Sequence, residues 1–272
     1  MANLKFLSVM VVALSVQACS HSAPPPNAFS AEVEHGGTLK TTAFPLNRPG
    51  PNPGLKGRTI AVDSIEDLQL AKGEVVLTFD DGPVRHNTRS ILDTLARHDV
   101  KATFFMVGQM ANAYPALVRE VASAGHTIGS HTQNHLNLAR INTNDARQDI
   151  EAGKASLERA LIPLDRSVAP FFRFPYLADT PKLRDSLARQ GIVVIDPTID
   201  SKDYWVSTPD QIKNRIMKAL RKRGSGIILL HDIHKRTARM LPALLATLDR
   251  EGYSIVHFVP GPDAATKVAP SF

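Results

Sequence analysis

Two adjacent carboxylates, Asp80 and Asp81, close a short apolar run, Val75–Phe79, and are followed at once by Gly82 and Pro83. Such neighbours can divide labour, one binding a cation while the other handles a proton. The same Asp-Asp-Gly could equally cap backbone N–H groups in a turn. Further along, His131 and His135 stand four residues apart, one helical turn, so both imidazoles could face a single point. Adding Asp81 makes a two-histidine, one-carboxylate set that suits a metal of the zinc type and leaves positions open for water and substrate. A structural zinc would be closed by four protein ligands, so an open set points to catalysis.

These residues can meet only if separate elements deliver them to one place. Strand-like and helix-like segments alternate from Val75 onward. Strands are expected at 75–79, 102–107, 127–129, 169–174, 192–195, 226–230 and 254–258. Helices are expected at 88–98, 114–124, 144–160, 181–190, 209–220 and 239–251, with Gly125, Gly191 and Gly252 as stops. The helix at 144–160 reads as long and polar, with few buried positions. Repeated strand–helix order argues a parallel α/β domain with right-handed crossovers. The polar candidates fall just after strand ends, at 80–81, 131–135, 173–176, 200–205 and 231–234, which is the active face of a parallel α/β barrel. An open doubly wound sheet would show a glycine-rich dinucleotide fingerprint, and none is present.

Around that domain, expected at 72–262, the chain of 272 residues is expected to have a leader, a Pro-rich tether and lead-in at 19–71, whose stretch Ile60–Leu70 could pack on the domain edge, and a tail at 263–272. Lys5 precedes an apolar run, Phe6–Val16, too short to span a bilayer. That is an export signal, and Val16-Gln17-Ala18-Cys19 is similar to a bacterial lipobox, which would make residues 1–18 a signal peptide and Cys19 the lipidated N-terminus. As the one cysteine, Cys19 has no partner for an internal disulfide. Between Ser20 and Gly57 seven prolines and few large apolar residues predict an extended tether. The net charge of +6 suits anionic surroundings. Its densest cluster, Lys218–Arg223, lies in a helical pattern without interleaved aromatics, which reads as a solvated face rather than a nucleic-acid surface.

Five motifs in order carry a resemblance. Thr78-Phe-Asp-Asp-Gly-Pro83, His131-Thr-x-x-His135, Arg173-Phe-Pro-Tyr176, Asp200-Ser-Lys-Asp203 and Leu229-Leu-His231 resemble those of the polysaccharide deacetylases, the NodB-homology group or carbohydrate esterase family 4, across roughly residues 72–260. The resemblance implies a distorted (β/α) barrel of about seven strands and a divalent metal, zinc or else cobalt, nickel or manganese, held by Asp81, His131 and His135. It implies Asp80 as general base, Arg173 as the residue that orients it, and the Tyr176 backbone N–H in the oxyanion hole. His231 would be the general acid, oriented by Asp203 or, second, Asp200, with Leu229 lining the acetyl pocket. The fourth motif usually ends Asp-Trp, whereas here Tyr204 intervenes before Trp205, so either ring could form that wall. His234 could be a further metal ligand, with a loop position the simpler expectation, and His126 reads as structural. The expected activity is removal of N-acetyl groups from an exported N-acetylglucosamine polymer, peptidoglycan first. Chitooligosaccharides, acetylxylan, or binding without catalysis are the alternatives.

Overall fold

The run Glu74–Asp80 is a strand whose residues alternate between two apolar environments. Val75, Leu77 and Phe79 pack among helices, while Val76 joins a separate cluster drawn from strands. A computed structural model describes residues 54–263, and the leader, most of the tether with Cys19, and residues 264–272 lie outside them. Strands β1 (Lys56–Val62), β2 (Glu74–Asp80), β3 (Thr103–Met106), β4 (Thr127–Ser130), β5 (Phe171–Phe172), β6 (Val193–Val194), β7 (Ile199–Asp200), β8 (Gly226–His231) and β9 (Ser254–Pro260) form one sheet. Its order is β1-β9-β2-β3-β4-β5-β6, with β8 on β2 and β7 on β8, and every pairing is parallel.

Ile60, Val62, Val76, Phe105, Phe171, Val193, Ile227, Val256 and Phe258 turn inward from seven strands and fill the interior of a distorted barrel. The outer faces of the strands carry helices α1 (Asn87–Arg97), α2 (Gly108–Ala113), α3 (Pro115–Ser123), α4 (Thr143–Leu161), α5 (Pro181–Arg189), α6 (Pro209–Arg223) and α7 (Lys235–Arg250). Leu95, Leu117, Leu220 and Leu244 are among the helix residues almost wholly removed from water, each burial contributing about 2 kcal/mol. Among the described residues no helix is long and apolar enough to cross a membrane.

Three expectations change. The ordered fold begins earlier than Lys72: β1 pairs along β9, and Leu55, Ile60 and Val62 are buried. Two short elements, α2 and β7, have too few residues to show a period. Most telling, α4 is not a helix with few buried positions, since Ala146, Asp149, Ile150, Gly153, Ser156, Leu157, Ala160 and Leu161 are all buried. Its inward face is partly polar because it packs on a polar loop.

Candidate active site

Parallel pairing sets the first residues side by side. Asp80 lies opposite His231 across β2 and β8, and Leu229 lies opposite Asp200 across β8 and β7. Asp80 follows Val76 and Thr78 on the inward side of its strand, so its carboxylate rises at the barrel mouth. Asp81 breaks the alternation with φ of 77°, and the next residue must be small. A Cβ on Gly82 would collide with the carboxylate of Asp232, which is fully buried behind the turn. Adjacent carboxylates thereby face different partners.

Asp80 accepts a hydrogen bond from Arg173 Nη1 at 2.8 Å, and both groups are removed from solvent. The guanidinium is fixed by further donations to Thr78 Oγ1 (2.7 Å) and the carbonyl of Ile195 (2.8 Å), and it lies over the Phe105 ring. A buried ion pair of this kind is held in one geometry by its extra hydrogen bonds.

Asp81 Oδ1 lies 3.4 Å from His131 Nε2 and 3.1 Å from His135 Nε2. The two histidines do not converge through helical spacing. Residues 131–135 form a loop in which Thr132 (φ 68°) and His135 (φ 54°) are left-handed, a conformation that costs a β-branched residue roughly 1–3 kcal/mol. The loop is fastened from outside. Gly108 N donates to Thr132 O (2.8 Å), Gln133 N to Asp149 O (2.9 Å), and Asn134 Nδ2 to Asp149 Oδ1 (2.6 Å). Ser156 Oγ donates to Gln133 Oε1 (2.8 Å). Gly153 lets the α4 backbone lie directly against Thr132 and Gln133.

The donor set fits a cation. His131 Nδ1 is 2.8 Å from the carbonyl of Arg173, so that nitrogen carries the ring proton and Nε2 presents a lone pair. Asp81 Oδ1 is buried and has no hydrogen-bond partner. Among the described residues Asp81, His131 and His135 form the one group with metal-binding spacing. His234 is not part of it.

Across the mouth, His231 Nδ1 is 2.6 Å from Asp203 Oδ1. The other Asp203 oxygen accepts from His231 N (2.8 Å) and Thr237 Oγ1 (2.6 Å). Burial would lower His231, yet the hydrogen bond and charge of Asp203, with Asp80 and Asp81 beyond, raise it to about 9. Asp200 does not orient this histidine. Its carboxylate is taken by Lys202 Nζ and Tyr204 Oη, each at 2.9 Å. Tyr204 forms the wall, its ring edge-on to His231 at 5.6 Å, while Trp205 sits one step outward, half exposed beneath Lys202 and near Arg215. Tyr176 (φ 58°) stands beside His135 with ring centroids 4.7 Å apart.

Asp80, Asp81, His131, His135, Tyr176, Asp200, Tyr204, Leu229 and His231 line one cleft of about 400 Å³. Thr78, Asp149, Gly153 and Thr237 also shape it, although no pattern in the sequence marked Asp149, Gly153 or Thr237. His126 is structural, accepting a hydrogen bond from Ala102 N through Nδ1 at 3.1 Å. The arrangement can bind a cation, hold a base on one side of it and a protonated imidazole on the other, and admit a substrate from solvent.

The model of the polysaccharide deacetylase family matches residues 68–195. The peptidoglycan-N-acetylglucosamine deacetylase PgdA of Listeria monocytogenes is 31% identical over 182 residues, 67% of this chain but only 37% of that protein's length. The chitin deacetylase of Colletotrichum lindemuthianum is 32% identical over 196 residues, covering 68% of this chain and 77% of its own. The Bdellovibrio bacteriovorus peptidoglycan deacetylase Bd3279 superposes with a TM-score of 0.67 at 31% identity, over 76% of this chain and 57% of that one.

Proposed function

Because the chain belongs to the polysaccharide deacetylase family, we propose that it is a metal-dependent hydrolase removing N-acetyl groups from N-acetylglucosamine residues of a cell-envelope polysaccharide, most specifically peptidoglycan. One observation carries this reading: the Arg173–Asp80 pair and the Asp203–His231 pair flank a three-donor cluster within a single cleft. The peptidoglycan and chitin deacetylases it resembles favour an N-acetylated polymer over acetylxylan.

A divalent cation on Asp81, His131 and His135, zinc before cobalt, nickel or manganese, would polarise the amide carbonyl and make water a nucleophile at neutral pH. Asp80, steadied by Arg173, takes a proton from the attacking water. The backbone N–H of Tyr176 donates to the oxygen on which negative charge develops. His231, protonated at neutral pH because of Asp203, gives its proton to the departing nitrogen, which is a poor leaving group without it. Leu229 bounds the acetyl methyl, and the rings of Tyr176 and Tyr204 bracket the sugar. The chain acts outside the cytoplasm, held through Cys19, and Cys19→Ala should shift it from the membrane fraction to a soluble one.

The test is acetate release from peptidoglycan, chitooligosaccharides and acetylxylan, with metal removed by a chelator and titrated back. Asp80→Asn should retain metal yet lose acetate release, whereas His131→Ala should lose both. Wild-type protein that binds zinc but releases no acetate from any acetylated glycan would leave carbohydrate binding as its activity.

A further inference from the structure

Since every strand pairing is parallel, the N-terminal ends of the strands share the face opposite the cleft. Several segments meet there through the backbone. Gly73 N donates to Gly224 O at 2.7 Å, Ser254 N to Gly73 O at 2.9 Å, and Ile255 N to Leu55 O at 2.7 Å. The loop before β2, the end of α6, the start of β9 and the point where the chain enters the domain are therefore immediate neighbours. Upon this junction α6 ends in Arg221, Lys222 and Arg223, with Lys218 one turn back from Lys222. The Lys72 side chain reaches Gly224 from the neighbouring loop.

Lys72, Lys218, Lys222 and Arg223 are exposed, and among the described residues none has a carboxylate partner. The cations around them differ, since Lys56 pairs with Asp99, Arg58 with Glu74 and Arg221 with Glu251. A helix C-terminus favours cations in its last turn, but that explains neither Lys72 nor four uncompensated charges at one junction. Among the described residues no exposed aromatic ring lies beside them to stack on a base, the exposed rings being Tyr176, Tyr204 and Trp205 on the cleft side.

We infer that this face docks on an anionic phospholipid surface, with the catalytic cleft turned away from the bilayer toward the polymer. The inference rests on the envelope placement proposed above for its partner. The chain enters the described domain at Leu55, on the same face as these cations and opposite the cleft. Each lysine or arginine near such a surface strengthens partitioning ~5-fold.

The experiment uses the exported chain with Cys19→Ala, which cannot be acylated, so patch and anchor are read separately. At ~0.1 M salt it should sediment with phosphatidylcholine vesicles containing about 30 mol% phosphatidylglycerol, not with phosphatidylcholine alone, and more salt should release it. Replacing Lys218, Lys222 and Arg223 together with glutamine should weaken partitioning about a hundredfold, and Lys72→Gln alone ~5-fold. Both variants should keep the wild-type melting temperature and acetate release from soluble chitooligosaccharide. Trp205 is the only tryptophan and lies at the cleft, so brominated acyl chains should leave the bound protein's emission unquenched. Absent binding, equal binding to neutral vesicles, or wild-type binding by the variants would overturn the inference. Quenching of Trp205, or tighter retention by duplex DNA than by the vesicles, would overturn it too. The vesicle, quenching and DNA readouts do not depend on whether the chain releases acetate.

Discussion

Gly153→Ala is the substitution that most directly probes how the metal loop is held. A Cβ at this position would lie 2.7 Å from Gln133 N and nearer still to the Thr132 carbonyl, whereas ordinary contact begins near 3.4 Å. Both obstacles are backbone, so no side chain can swing aside, and loop or helix must move by roughly 1 Å to clear the Thr132 carbonyl, beyond the half-ångström within which a constructed site keeps its geometry. Overpacking of this kind costs about 1–3 kcal/mol, and alanine returns about 1 kcal/mol of helix propensity. Global stability should therefore fall by no more than ~2 kcal/mol. The loop is less forgiving, because Thr132 and His135 are already left-handed and are kept so by contacts with α4. Zinc affinity should fall ~10–100-fold, the effect of disturbing groups that orient metal ligands. Competition against a fluorescent chelator measures it, with Glu151→Ala on the outer face of α4 as control. Wild-type zinc affinity in Gly153→Ala would refute the claim that α4 holds this loop in register.

Asp203→Asn should remove the hydrogen-bonded charge that does most to lift His231 to about 9, leaving burial opposed only by the charges of Asp80 and Asp81, so His231 should titrate lower. The imidazole would then give up its proton at lower pH, acetate release above neutral pH should drop by up to ~10²–10⁴-fold, and the alkaline limb of the rate profile should move to lower pH. An unmoved limb would mean that another group is the acid. Stability should also fall on acidification through His126 and His257. Burial, with the charge of Lys101, depresses them to about 3 and about 4 from 6.5. Both are neutral when folded, so their contribution is complete above pH 6.5 and shrinks below it as the unfolded chain takes up protons. At pH 5 the loss is about 2 kcal/mol per histidine. Urea melts of the wild type and His126→Gln between pH 7.5 and 5 check this, and the variant should lose less than the wild type.

The alternation of strand and helix was legible because long apolar runs and amphipathic faces each have a period. Thus β2, β8, α1 and α7 lie close to where the pattern puts them. The site residues could be named for a different reason, the five ordered motifs, and not because spacing revealed their geometry. His131 and His135 make the point. Their separation suggested a helix face, but the structure joins them through a loop with two left-handed residues. Asp200 and Asp203 are chemically alike and three residues apart, and only their partners separate them. Lys202 and Tyr204 bind the first, and Thr237 with the backbone N–H of His231 binds the second. Partners that lie 28 or 34 residues away leave no local pattern.

The misreading of α4 follows from the same limitation and shows what the site demands of its scaffold. Asp149, Gly153 and Ser156 would weaken the apolar face of an ordinary helix, whether by desolvation or by conformational freedom. Here they meet a loop that is itself polar and bent against its preferences, so an apolar α4 would leave the Asn134 side-chain amide without its acceptor and Gln133 Oε1 without its donor. Helix and loop are each unfavourable alone and satisfied together. Asp81 and Tyr176 are left-handed as well, and Asp232, fully buried beneath Gly82, is raised to about 7 chiefly by desolvation. Asp81, Thr132, His135, Tyr176, Leu177 and Lys202 thus gather on one rim of the barrel, while at the opposite end the left-handed positions include Asp99 and Asp165, of a type that tolerates this region, with Gly73, Gly224 and Gly252. A domain that kept its strain for stability alone would have no reason to sort it by face, so this asymmetry marks the cleft rim as the end selected for chemistry.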